Sequence, residues 1–197
     1  MNGANITGGK SLRGRAEDDF YATNPVDVRR FLDVYGKIEG LILEPCIGQG
    51  HIARVLQEQG NVKIQGIDIK DRDSGFDVSI ADFITFNEYK GIFDYVVTNP
   101  PYSLATEFIV KSMETVKENG KVIMFLKLQF LEGISREKLF KELPPRYIYV
   151  CRKRAKPLRN GSEIDFATGK KWASSTICFA WFVWEKGYKG DSIIRWC

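Results

Sequence analysis

Between Leu41 and Leu128, short apolar runs alternate with stretches whose apolar residues recur at helical spacing. LILEP (41–45), VKIQGIDI (62–69), FDYVVTN (93–99) and KVIMFLKL (121–128) read as buried strands, with a shorter one near Phe76–Ile80. Residues 51–59 and 104–118 read as helices, closed by Gly60 and by Asn119-Gly120. A chain that alternates in this way has few means of burying its apolar surface. The strands must lie parallel, with the connecting helices over both faces. An earlier helix starts at Asn24-Pro25, with Val28, Phe31, Leu32 and Tyr35 on one face and Gly36 as its stop. After a short helix at 135–142, RYIYVCR (146–152) and TICFAWFVWEK (176–186) are two further strands. No helical pattern joins those two, so they are expected to pair antiparallel at one edge. The expectation is an α/β fold with a mainly parallel seven-stranded sheet. It forms one domain over residues 20–197, preceded by a flexible segment, 1–19, rich in Gly, Asn and charge.

Composition narrows the chemistry. No apolar run is long enough to span a bilayer, and the N-terminal stretch lacks the apolar core of a secretory signal. Cys46, Cys151, Cys178 and Cys197 are scattered, with neither a CxxC pair nor a cluster of histidines. That argues against a zinc site and for reduced thiols in a cytoplasmic protein. His51 is the only histidine, which leaves little room for histidine-based nucleophilic catalysis or a metal centre.

The first of the alternating strands runs into Glu44-Pro45-Cys46-Ile47-Gly48-Gln49-Gly50, where glycines let a ligand approach the backbone. Asp68 closes the second strand, where an acidic side chain can accept hydrogen bonds from ribose hydroxyls. Asp82-Phe83 follows the third, offering an acceptor for an exocyclic amine and an apolar ring face. A carboxylate at Glu44 suits a cationic or hydroxyl-bearing ligand and repels a pyrophosphate. Together these features favour a nucleoside carrying an amino acid over a nicotinamide dinucleotide.

The fourth strand leaves through Asn99-Pro100-Pro101-Tyr102. Two prolines continue neither a central strand nor a helix interior, and the residue before a proline is driven to extended conformations. The tetrapeptide is therefore a stiff loop holding one amide and one aromatic ring, a clamp for something flat and polar.

These ordered motifs resemble those of S-adenosylmethionine-dependent amino-methyltransferases, most of all the adenine-N6 DNA methyltransferases. Phe20-Tyr21-Ala22-Thr23-Asn24-Pro25 resembles their N-terminal cofactor motif, with Asn24 inserted before the proline. The order, with this motif before the glycine loop and the loop before NPPY, resembles the gamma class. The small size, without a separate recognition domain, resembles the orphan enzymes of phages and prophages. The resemblance covers about residues 17–130 and implies a Rossmann-like class I methyltransferase with S-adenosyl-L-methionine as cofactor. Tyr21, Thr23, Asn24, Pro25, Glu44, Pro45, Gly48, Gly50, Asp68, Ile69, Asp82, Phe83 and Asn99 are the cofactor-binding positions it implies. It also implies that the Asn99 side-chain oxygen and the Pro100 carbonyl accept the two hydrogens of adenine N6. The resemblance further implies that Pro101 stiffens the loop and that Tyr102 stacks on the flipped base. RNA bases and a protein glutamine amide present a similar planar nitrogen and stay open as substrates, and a regulator that binds the cofactor without turnover stays open as well.

Between Arg146 and Lys171 lie eight basic and two acidic residues, a net +6 in a chain of net +4. Such a block fits a phosphate-rich partner, DNA or RNA. Arg152, Lys153, Arg154, Lys156 and Arg159 are its candidate phosphate contacts. Trp172, Trp181, Trp184 and Trp196 read as core or edge packing.

Overall fold

The computed structural model describes residues 21–156, 158–159, 161–164, 169–171 and 176–197. The segment 1–19, Phe20 and Trp172 lie outside the described residues.

Strand β1 (Tyr21–Ala22) leads into helix α1 (Pro25–Tyr35). Asn24 caps the helix, its Oδ1 accepting from the Val26 N–H at 3.0 Å, and Pro25 supplies the first turn. The Gly36 N–H closes the helix on the Leu32 carbonyl at 2.8 Å. Phe31 packs its ring between Tyr35 and Trp181, at centroid distances of 4.9 and 4.8 Å.

The following elements are β2 (Gly40–Pro45), α2 (His51–Gln57), β3 (Val62–Asp68), β4 (Asp77–Ile80), β5 (Phe93–Thr98), α3 (Ala105–Thr115) and β6 (Val116–Lys127), with no helix between β3 and β4 or between β4 and β5. Then come α4 (Glu137–Glu142), β7 (Tyr147–Val150), β8 (Leu158–Arg159), β9 (Phe179–Glu185) and β10 (Ile193–Trp196). The main sheet has the order β10-β7-β9-β6-β5-β2-β3-β4. Every pairing is parallel except those of β9 with β6 and β7.

Both faces of the sheet are covered. In β6, Val122, Met124 and Leu126 pack with Phe108 and Ile109 of α3, whereas Ile123 and Phe125 pack with Phe31 of α1 and Leu56 of α2. In β9, Phe182 and Trp184 join the first group, and Trp181 and Val183 the second. Burial on both faces explains why these strands read as continuous apolar runs.

The sheet differs from expectation in three places. It has eight strands, because the C-terminal β10 adds in parallel to β7. The antiparallel strand β9 lies inside the sheet, with β7 and β10 beyond it. Helix α3 stops at Thr115 and β6 starts at Val116. Phe93 pairs with Val116 but Tyr95 with Lys121, so Asn119-Gly120 is a bulge inside the strand ladder, not a helix stop. A separate two-stranded ribbon joins β1 to β8, Tyr21 opposite Arg159 and Ala22 opposite Leu158.

The chain runs from β2 outward through β3 to β4, then returns to β5 on the other side of β2. Ligands of open α/β sheets bind at such a switch point, outside the carboxyl ends of the strands.

Candidate active site

A cavity of about 720 Å³, counting its open mouth, lies at that switch point. Its walls come from the exits of β2 and β5, the end of β3, the start of α2, and β1.

Glu44 sits in the floor, 2% exposed. The Ala53 backbone N–H donates to its carboxyl, but Oε2 has no hydrogen-bond partner among the described residues. Burial, reinforced by the nearby Asp68 carboxylate, pushes its pKa well above the usual carboxylate range. Thr23 Oγ1 and His51 Nδ1 also line the cavity, are buried, and lack a partner among the described residues. Burial, then Arg54, lowers the His51 pKa, which favours the neutral imidazole. Buried polar atoms are nearly always paired in folded proteins. Three such groups around one cavity fit a polar ligand.

Asp68, in contrast, is engaged. Its Oδ2 accepts from the Gly48 N–H at 2.8 Å and its Oδ1 from the Lys70 N–H at 3.1 Å, with Arg72 Nε 3.8 Å away. The carboxylate ties the glycine loop to the end of β3 while still facing the cavity. Gly50 begins α2 with φ 77°, and a Cβ there would meet the Phe76 ring at 3.0 Å. Only glycine fits that turn. Cys46 also lines the cavity, but burial and then the carboxylates of Asp68, Glu44 and Asp82 push its thiol far from ionisation. It is no thiolate nucleophile.

The NPPY loop forms the opposite wall. Buried Thr98 donates its hydroxyl to the Pro45 carbonyl, locking the ends of β5 and β2 together. Asn99 Nδ2 donates to the Tyr21 carbonyl at 2.8 Å. Only the NH₂ half of an amide can do this, so the orientation of Asn99 is set and its Oδ1 remains the acceptor. The Leu104 N–H takes the Pro101 carbonyl at 2.9 Å. No donor among the described residues takes that of Pro100. Tyr102 carries the Lys127 ammonium over its ring, 4.7 Å from the centroid, with the Phe179 ring at 6.1 Å.

Of the positions singled out from sequence, Tyr21, Thr23, Glu44, Asp68, Ile69, Asn99, Pro100, Pro101 and Tyr102 meet around this cavity. Asn24 and Pro25 start α1, and Pro45, Gly48 and Gly50 shape the loop behind the wall. Asp82 and Phe83 are not brought to it. Phe83 is 3% exposed and packs on Phe108, while Asp82 Oδ1 accepts from the Ile84 N–H at 2.9 Å. His51 and Arg72 line the cavity without having been assigned to it. The orphaned His51 nitrogen is a property of burial, and periodicity carries no trace of it.

Arg152, Lys153, Arg154 and Lys156 are exposed on the connection beyond β7. That connection is fastened to the cavity's rim. The Lys156 N–H donates to buried Asp27 of α1 at 3.3 Å, and Asn24 Nδ2 to Glu163 at 3.1 Å. The backbone of Arg159 pairs with Tyr21. Gly161 comes so close to Gln49 of the glycine loop that a Cβ would overlap its amide. Among the described residues there is no cluster of three or more metal-ligating side chains. Nor is any helix there long and apolar enough to cross a membrane.

No protein-family model matches the chain, and no curated protein matches it in sequence. Solved structures do match in fold. The predicted O-methyltransferase Atu636 from Agrobacterium tumefaciens is 12% identical, with a TM-score of 0.58 over 83% of this chain and 81% of that one. A TehB-like SAM-dependent methyltransferase from Corynebacterium glutamicum is 14% identical, with a TM-score of 0.53 over 81% and 86%. TrmN from Thermus thermophilus is 17% identical, with a TM-score of 0.54 over 82% of this chain but 48% of its own. The chain has the Rossmann-like fold of class I methyltransferases.

Proposed function

We propose that this chain transfers a methyl group from S-adenosylmethionine to the exocyclic N6 of adenine in DNA. The observation that carries the reading is the NPPY wall. Tyr21 turns the Asn99 amide so that Oδ1 is left as an acceptor, and the adjacent Pro100 carbonyl has no donor among the described residues. Two acceptors side by side suit an NH₂ group and draw its nitrogen towards tetrahedral geometry, localising the lone pair. Tyr102 supplies the ring for the flipped base, a contact worth roughly 1–3 kcal/mol.

The cavity residues fit the cofactor. Glu44 would take its ammonium group, and Thr23 and His51 are orphaned polar partners for the amino-acid end. Asp68 would accept from ribose hydroxyls, and Ile69, 61% exposed at the mouth, offers apolar surface to the adenine ring. When bound, the sulfonium supplies an activated methyl group. Nitrogen then bonds to the methyl carbon as the carbon–sulfur bond breaks, and the extra amine proton leaves to water. Asn99 and Pro100 act by orientation and need not be basic, and orientation alone supplies effective molarities of about 10⁵–10⁸ M. The exposed cations of the 152–156 stretch provide the phosphate contacts.

The test is transfer of labelled methyl to unmethylated duplex DNA, total RNA and protein extract in parallel, followed by identification of the modified residue. N6-methyladenine in DNA alone is expected. Label in RNA or protein would keep the chemistry and change the substrate. Cofactor binding without label in any acceptor would overturn the reading.

A further inference from the structure

The eighth strand places an unexpected residue on the working edge of the sheet. Trp181 and Trp184 are fully buried, whereas Trp196 at the end of β10 is 60% exposed. Tryptophan is among the most buried side chains on average, and an exposed one beside cations marks an interaction surface. β10, β7, β6 and β5 all run parallel, so Trp196 lies at the same carboxyl edge as the Asn99 loop.

Cations mark the strand ends between them. Lys127 ends β6, and Arg154 bonds the Thr176 carbonyl and Cys178 Sγ just before β9. Arg152 follows β7, its N–H donating to the Cys197 carbonyl at 2.9 Å, directly beside Trp196. Four strand spacings separate β5 from β10. At ~4.8 Å each they span about 19 Å, the rise of about six stacked nucleotides and of fewer unstacked ones.

We infer that this edge, from Lys127 to Trp196, is a track for an unpaired nucleic-acid strand flanking the target nucleotide, with Trp196 as its stacking post. The inference rests on a nucleic-acid substrate. A phosphate backbone complements the basic rim, whereas a second copy of the chain would bring the same rim to itself. Single strands are held by this combination of cationic groove and exposed aromatic ring.

The experiment measures dissociation constants by fluorescence anisotropy. It uses labelled single-stranded oligonucleotides with one adenine and flanks of increasing length on either side. Trp196→Ala is expected to weaken binding about 5- to 100-fold once one flank reaches about four to six nucleotides, and to leave shorter oligonucleotides unaffected. Trp196→Phe should retain most of the affinity, and cofactor affinity and thermal stability should not move. Equal affinity of wild type and Trp196→Ala for long flanks would overturn the track and leave the methylation reading standing. So would loss of self-association in sedimentation without a change in nucleic-acid affinity. Failure of the wild type to bind any single-stranded oligonucleotide would overturn the track, and failure to bind duplex DNA and RNA as well would overturn the reading on which it rests.

Discussion

The cavity between β2 and β5 and the edge from β7 to β10 share one side of the sheet but are built by opposite means. Around the cavity, polar groups are buried and held. Gly48 and Lys70 hold Asp68, Tyr21 holds Asn99, and Pro45 holds Thr98. Along the edge, Arg152, Lys153, Arg195 and Trp196 are exposed. A buried polar group acts in a low dielectric, where orientation is worth most and a missing partner costs most. An exposed cation acts by summed, screened attraction, which suits a polymer and tolerates imprecision. The first region fits a small ligand and a reacting atom, the second a chain of phosphates. Four variants test this division, in decreasing order of effect.

Asn99→Ala should lower methyl transfer by about 10²–10³-fold, the usual cost of a preorganised polar contact to reacting atoms. Calorimetry should find the dissociation constant of S-adenosylhomocysteine nearly unchanged. A large loss of cofactor affinity would instead make Asn99 a binding residue.

Glu44→Gln should weaken cofactor binding about 10- to 100-fold, as expected for a lost charge-assisted hydrogen bond of ~1.5–3 kcal/mol. The same change should stabilise the free protein at neutral pH. The folded-state pKa of Glu44 is raised, so its contribution is fully present below its unfolded pKa and is lost as pH rises through the folded one. Glutamine removes that loss. Melting temperatures against pH should therefore diverge between variant and wild type as pH rises above about 4.3. Parallel curves would show that Glu44 ionises without cost.

Replacing Arg152, Arg154 and Lys156 together by alanine should weaken DNA binding about tenfold at moderate salt. The slope of log K against log salt should flatten by up to about 2–3, since each phosphate contact contributes roughly 0.7–0.9. Cofactor affinity should hold. Unchanged DNA affinity would assign these cations to a solvated loop.

Asn24→Ala should cost about 1 kcal/mol of stability through the lost cap. It also removes the Asn24–Glu163 contact joining the two regions. A further drop in DNA affinity, measured at a temperature where the variant stays folded, would show that the regions act together. A change in stability alone would show that they act separately.

Local chemistry made most of the fold legible. Asn24-Pro25 and Gly36 start and stop α1 by side-chain and φ preferences that operate within a few residues. The residues of the NPPY loop were equally legible, because two prolines restrict the backbone wherever they stand. Less legible were features that depend on distant partners. β10 is a short strand whose residues are all exposed, and only its pairing with β7 makes it a strand. Phe83 reads as a ligand platform because an aromatic ring after a strand looks the same in sequence whether it faces a ligand or another ring, and in the fold it packs on Phe108.

By itself, then, the sequence determined most of the strands and helices and which residues stand at the carboxyl ends of β2, β3 and β5. Periodicity and backbone restriction are short-range and are written residue by residue. The tertiary structure decided which carboxyl group is satisfied and which is orphaned, and which half of the Asn99 amide is the acceptor. It also decided that Trp196 shares an edge with the cavity. Those properties arise from groups far apart in the chain, Tyr21 and Asn99 being separated by 78 positions, whose meeting follows from strand order and burial.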